Sequence, residues 1–221
     1  MILKNPERVA LVKRYAVAAA HLYGTLTVTD FLYVFNHYED EKLSREEAMS
    51  ILQEFPKRSV FDVKFADPLI ANWCIIIAGQ RDVQRNIITL NRIRGIPLYL
   101  PSKYEFLSYE DYSSFDAEEA VNDLGEFIIS NNILPQETID GIYFFIMNMY
   151  DRFALGIHYT EIVDLMGKHH FNFKTEELHQ LFLEKAKTVF RQTRRYVFRG
   201  HKIDEYVKIY HQRKKAVQKM N

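Results

Sequence analysis

Ser44-Arg-Glu-Glu-Ala-Met-Ser-Ile-Leu-Gln-Glu-Phe-Pro56, followed by Phe61-Asp-Val-Lys-Phe65, is the stretch on which the fold turns. Its first part has a helical period. Ser44 and Glu47 form a capping box, Ala48, Ile51, Leu52 and Phe55 fall on one face, and Pro56 lacks the N–H needed to continue. The period then drops to two: Phe61, Val63 and Phe65 take one face of a strand, Asp62 and Lys64 the other. Asp67-Pro68 predicts a turn, and Ile70 to Ile77 a return strand. That strand is apolar enough for burial on both sides, with Cys74 as packing.

Upstream, Pro6 suits the first turn of a helix capped by Asn5. Val9, Val12, Ala16, Ala19 and Tyr23 mark its buried face, and Gly24 ends it. Thr29 is expected to cap a second helix running to Tyr38, with Phe31, Leu32, Val34 and Phe35 as apolar bulk. Downstream, a basic amphipathic helix is expected from Gln80 to Arg94, ended by Gly95. Three short helices, a β-hairpin and a further helix predict a winged-helix-like module over residues 1–96.

Pro97-Leu-Tyr-Leu-Pro-Ser102 reads as extended, because a residue before proline disfavours helix. The domain boundary is expected here, with an all-helical domain over 97–221 that ends in a basic helix. Ser102-Lys-Tyr-Glu105 is a second capping box. Further helices are expected over 116–131, 136–155, 160–169, 175–198 and 202–219, punctuated by Pro135, Gly156, the Asn172 turn and Gly200. Gly200 is expected to take a positive φ as the C-cap of a long helix. The fold class is mainly α with one β-hairpin.

The chain has 221 residues, 48% hydrophobic and 14% aromatic, enough for one large core or two small ones. Six prolines and eight glycines exclude a disordered or fibrous protein. One cysteine excludes an internal disulfide and a multi-cysteine zinc cage, and favours a reducing compartment. The longest apolar run, Cys74 to Ala78, is far shorter than the ~20 residues that span a bilayer. Met1 to Pro6 carries no secretory signal pattern. A soluble, cytoplasmic protein with no membrane association is expected.

Formal net charge is zero, yet charge is segregated. Lys103 to Phe127 holds eight carboxylates and one lysine, whereas Arg191 to Lys219 holds ten basic residues against Asp204 and Glu205. The segregation, rather than the total, bears on partners.

Tyr15-Ala-Val-Ala-Ala-Ala-His-Leu-Tyr-Gly24, Pro97-Leu-Tyr-Leu-Pro-Ser-Lys103 and Thr193-Arg-Arg-Tyr-Val-Phe-Arg-Gly-His201 together resemble a group of uncharacterised proteins of low-GC Gram-positive bacteria and their mobile elements. Some members of that group carry a C-terminal zinc motif of the SEC-C type. This chain lacks the motif, so zinc binding is not implied. The resemblance implies architecture and no activity.

Two surfaces stand out as candidates. The third helix is expected to expose Arg45, Glu46, Ser50, Gln53 and Glu54. That face is net acidic and therefore repelled by phosphate, so Arg45, Glu46, Gln53 and Glu54 are read as a protein-binding surface. Candidate nucleic-acid contacts are Arg81 and Arg85, with Arg92, Arg94 and Lys57-Arg58, and in the C-terminal stretch Arg191, Arg194, Arg195, Arg199, Lys214 and Lys215. That stretch is equally readable as a solvated helix face or as a partner of the acidic Lys103–Phe127 segment.

Glu176-x-x-His179 has the spacing of one half of a carboxylate di-metal site, but a second copy is missing, and His158-x-x-Glu161 is a reversed pair. No metal or cofactor is assigned. No Gly-rich phosphate loop, Gly-x-Ser-x-Gly elbow or His-Glu-x-x-His occurs, so no catalytic residue is assigned. Tyr143-Phe-Phe-Ile-Met-Asn-Met-Tyr150 is read as core. The expected function is non-enzymatic macromolecule binding, with a protein partner favoured over nucleic acid. The alternatives are a winged-helix DNA-binding transcriptional regulator and a mobile-element inhibitor of a nucleic-acid enzyme.

Overall fold

The computed structural model describes residues 5–54, 63–66, 69–72, 95–111, 117–162, 166 and 169–220. Eight α-helices, two 3-10 turns and a three-stranded antiparallel sheet are found among them. The chain divides into two compact units, Met1–Ser114 and Phe115–Asn221.

In the first unit, α1 spans Pro6–Tyr23, with the Asn5 side chain accepting from the Glu7 N–H and proline in the first turn. Gly24 ends it at φ 72, its N–H donating to the Ala20 carbonyl, a backbone angle that glycine adopts without strain. The chain passes directly into β1, Thr25–Thr27, a strand that the hydrophobic pattern did not announce. Leu26 is buried and faces Ile70 in the ladder, while two β-branched threonines flank it.

Helix α2, Val28–Tyr38, is capped by Thr27 and not by Thr29. The Thr27 hydroxyl accepts from the Asp30 N–H at 3.0 Å, and the Asp30 carboxylate takes the Thr27 hydroxyl at 2.9 Å. Thr29 is exposed within the first turn. The cap lies earlier because β1 occupies the residues that would otherwise form a loop.

Helix α3 spans Arg45–Leu52 behind Ser44, with Ala48, Ile51 and Leu52 buried. Strands β2, Val63–Ala66, and β3, Leu69–Asn72, form an antiparallel hairpin, and β3 lies between β2 and β1. Expected features at Phe55 to Asp62, Cys74 to Ile77 and Gln80 to Arg94, including Arg81 and Arg85, lie outside the described residues.

Past the extended 97–101 segment, α4, Lys103–Ser108, starts at the expected Ser102 cap. It belongs to the first core. Phe106 is fully buried and stacks on Tyr38 at 5.2 Å, and Tyr15 lies 5.4 Å from it. The first compact unit therefore continues beyond residue 96. The Tyr23 hydroxyl donates to the Tyr99 carbonyl and the Tyr38 hydroxyl to the Pro101 carbonyl, which ties the extended segment to the helices preceding it.

The second unit is built on α5, Glu118–Ser130, α6, Ile139–Ala154, and α7, Glu176–Gln192. Leu124, Ile128, Phe145, Ile146, Met149, Phe182, Ala186 and Val189 fill the space between them. The aromatic stretch of α6 is core on one side only: Phe145, Ile146 and Met149 are buried, while Tyr143 and Phe144 face solvent. A 3-10 turn at Tyr159–Glu161 starts the region expected as helix over 160–169, and part of that region lies outside the described residues.

Helix α7 stops at Gln192 instead of running to 198. The Thr193 backbone leaves helical angles, and its hydroxyl donates back to the Val189 carbonyl. A 3-10 turn, Tyr196–Phe198, and a bridge from Arg195 to His201 then reverse the chain into α8, Ile203–Met220. Gly200 has the expected positive φ, 82°, but it closes this short turn rather than a long helix.

Candidate functional site

Arg8 sets the position of the α3 surface. Its guanidinium donates to the Glu47 carboxylate on α3 and to the Glu41 and Lys42 carbonyls of the preceding loop, and it lies over the Phe35 ring. The hydrogen bond to Glu47 is the main reason that the Arg8 pKa is raised further. Glu47 is thus held by Arg8, while the Ser44 hydroxyl accepts from its N–H. Arg45, Glu46, Gln53 and Glu54 are exposed, as expected from the helical period. Lys13 of α1 approaches Glu54 at 3.9 Å. The exposed face therefore carries one arginine, one amide and two carboxylates, one of them beside a lysine.

The structure separates the basic C-terminal candidates into two sets. Arg194 and Arg195 point inward, which corrects their expected place on an exposed helical face. The break after Gln192 is the cause, because it rotates these residues off the surface of α7. Arg194 donates to the Gly200 carbonyl and to Glu205 at 3.0 Å. Arg195 is 2% exposed and lies 3.8 Å over the Phe190 ring. It donates to the carbonyls of Phe153 and Phe190, in the last turns of α6 and α7. Burial pushes its pKa down to about 10. The surroundings that compensate its charge are the negative ends of two helices.

Arg191 is exposed and pairs with Asp204 at 3.0 Å. Arg199 is half-buried at φ 54 within the reversing turn. Lys214 and Lys215 lie fully on the surface of α8, together with Lys208, His211 and Arg213. The ion pairs of Arg191 and Arg194 are thus with the first turn of α8, whereas the acidic α5 face is met by Lys185, which binds Asp123 at 2.6 Å.

The histidine pairs have local roles. His158 caps the turn that contains Glu161, its ring nitrogen 2.8 Å from the Thr160 hydroxyl. His179 lies 3.6 Å from Glu176 on the first turn of α7, and His169 lies 3.5 Å from Glu137. Among the described residues, no three His, Cys, Asp or Glu side chains gather as a metal site. No helix among them is long and apolar enough to cross a membrane. Arg8 and the inward turn of Arg195 were not legible beforehand, since each depends on a partner far away in sequence. Comparison with protein-family models, with curated proteins and with solved structures finds no match.

Proposed function

We propose that this chain is a non-enzymatic macromolecule-binding protein whose first unit carries a winged-helix-like module and docks a protein partner through the exposed face of α3. The element order α1-β1-α2-α3-β2-β3, with β3 between β1 and β2, supports the winged-helix reading. One observation carries the choice of a protein partner. The outward residues of α3 and the turn that ends it are Arg45, Glu46, Gln53 and Glu54, and the remaining acid of that helix, Glu47, is engaged by Arg8. A helix meeting a groove lined by phosphates needs net positive charge, and this surface carries two carboxylates against Arg45 and the neighbouring Lys13, with no positive excess.

Replacing Glu46→Lys together with Glu54→Lys tests the reading. Both positions are exposed, so folding is retained. The wild type is expected to bind a selected-site library and a random duplex alike, and the double variant to bind both more tightly, by removed repulsion and added attraction. A wild type that selects a defined site, and a double variant that loses it, would replace this reading by the transcriptional-regulator alternative.

A further inference from the structure

The outer half of α8 is a basic helix that stands clear of the second core. Its base is fastened: Ile203 packs on that core, and Tyr206 stacks on Phe198 at 4.0 Å. The acids of the first turn are matched there, Asp204 by Arg191 and Glu205 by Arg194, each at 3.0 Å. Beyond Glu205 the chain has no further carboxylate side chain and five basic ones, Lys208, Arg213, Lys214, Lys215 and Lys219. Every side chain from Tyr210 to Lys215 is exposed. Lys208, His211 and Lys215 recur at spacings of three and four, so they form one strip about 10 Å long, flanked by Arg213 and Lys214.

We infer that this strip binds the phosphate backbone of a nucleic-acid duplex without reading its sequence. Charge complementarity selects the partner. A helix that docks in a protein groove or on a lipid surface does so through a run of apolar anchors beside its charges. Ile203 and Tyr206 of α8 are already committed to the fold, which leaves Val207 and Tyr210 as exposed apolar side chains of its described part. Lysines act as point charges suited to phosphate, and phosphate contacts position a protein on a duplex without reading its sequence. This binding is independent of the α3 surface, and its failure leaves the protein-docking reading untouched.

The experiment measures affinity of the full chain for a random DNA duplex, a random RNA duplex and polyglutamate across a salt series. Each phosphate contact contributes a slope of about −0.9 in log affinity against log salt. The wild type is expected to bind duplex with a slope of about −3, and Lys208→Ala with Lys215→Ala to bring it to about −1 and weaken low-salt binding about tenfold or more. Both lysines are exposed, so the melting temperature stays unchanged. Lys174→Ala with Lys187→Ala removes equal charge elsewhere on the same unit and is expected to leave the slope alone. A preference for DNA or RNA names the source of the phosphates and supports the inference. No duplex binding at low salt, tighter binding to polyglutamate, or equal losses from the two double variants would overturn it.

Discussion

Arg195 donates to the Phe190 carbonyl near the end of α7 and to the Phe153 carbonyl near the end of α6, which also accepts from the Gly156 N–H, and its flat guanidinium covers the Phe190 ring. An alanine there removes the side-chain donor of the Phe190 carbonyl, takes one of two donors from the Phe153 carbonyl and uncovers the Phe190 ring. A lysine supplies one ammonium that cannot reproduce the planar fork. Arg195→Ala is expected to destabilise by about 2–4 kcal/mol, and Arg195→Lys by a substantial part of that. Urea unfolding measures both, and a shift within experimental error in both would refute the clasp. Glu39 plays the corresponding part in the first unit, accepting from the Tyr15 hydroxyl at 2.6 Å and from Lys103 at 2.8 Å. Burial opposes its charge, but the hydrogen bonds from Lys103 and Tyr15 prevail and hold its pKa below the ordinary carboxylate value. A depressed carboxylate pKa adds stability above the unfolded value, about 4.3, and that stability is lost as pH falls through the folded value. Glu39→Gln is therefore expected to be less stable than the wild type at pH 7 and to lose less on acidification below about pH 5. Parallel pH-dependent losses in both proteins would contradict this account.

Helices were legible wherever a cap and a buried period agree. Asn5, Ser44 and Ser102 all act as caps, because each side chain accepts from an N–H two or three residues away, while the Glu47 carboxylate of the box expected at Ser44 goes to Arg8 instead. Strand β1 and the end of α7 were not legible, for two different reasons. Thr25–Thr27 is too short to show a period and becomes a strand because β3 lies alongside it. Gln192 to Phe198 carries residues compatible with a helix, and the break at Thr193 is stabilised by the distant Phe153 carbonyl that accepts from Arg195. The displaced cap gives a sharp test. Thr27→Ala is expected to cost about 1 kcal/mol and Thr29→Ala less than about 0.5 kcal/mol. Thermal unfolding of the two variants decides, and the opposite order would move the start of α2. At Gly200, with φ 82°, Gly200→Ala is expected to cost about 1 kcal/mol because a Cβ is disfavoured at that angle.

The division into two units follows from where the aromatic side chains go. Phe106 and Tyr109 join the core of α1, α2 and α3, so the extended segment from Pro97 belongs to the first unit as its closing strap. A fragment of residues 1–114 is expected to unfold cooperatively in urea, whereas one ending at residue 96 loses both rings and the acceptors of Tyr23 and Tyr38 and unfolds at lower denaturant. Equal midpoints for the two fragments would return the boundary to residue 96. The candidate surfaces were legible in part. The α3 face needed only the helical period, while separating Lys208, Lys214 and Lys215 from Arg194 and Arg195 required the turn that buries the two arginines.

The protein-docking claim is tested most directly by capture from the cells that make the protein, with nuclease added, using the wild type, Arg45→Glu with Gln53→Arg, and Lys208→Ala with Lys215→Ala. The account predicts a discrete protein retained after nuclease by the wild type and by the α8 variant and lost from the α3 variant, with circular dichroism unchanged in all three. Retention that disappears with nuclease, or that the α3 variant preserves, would contradict it.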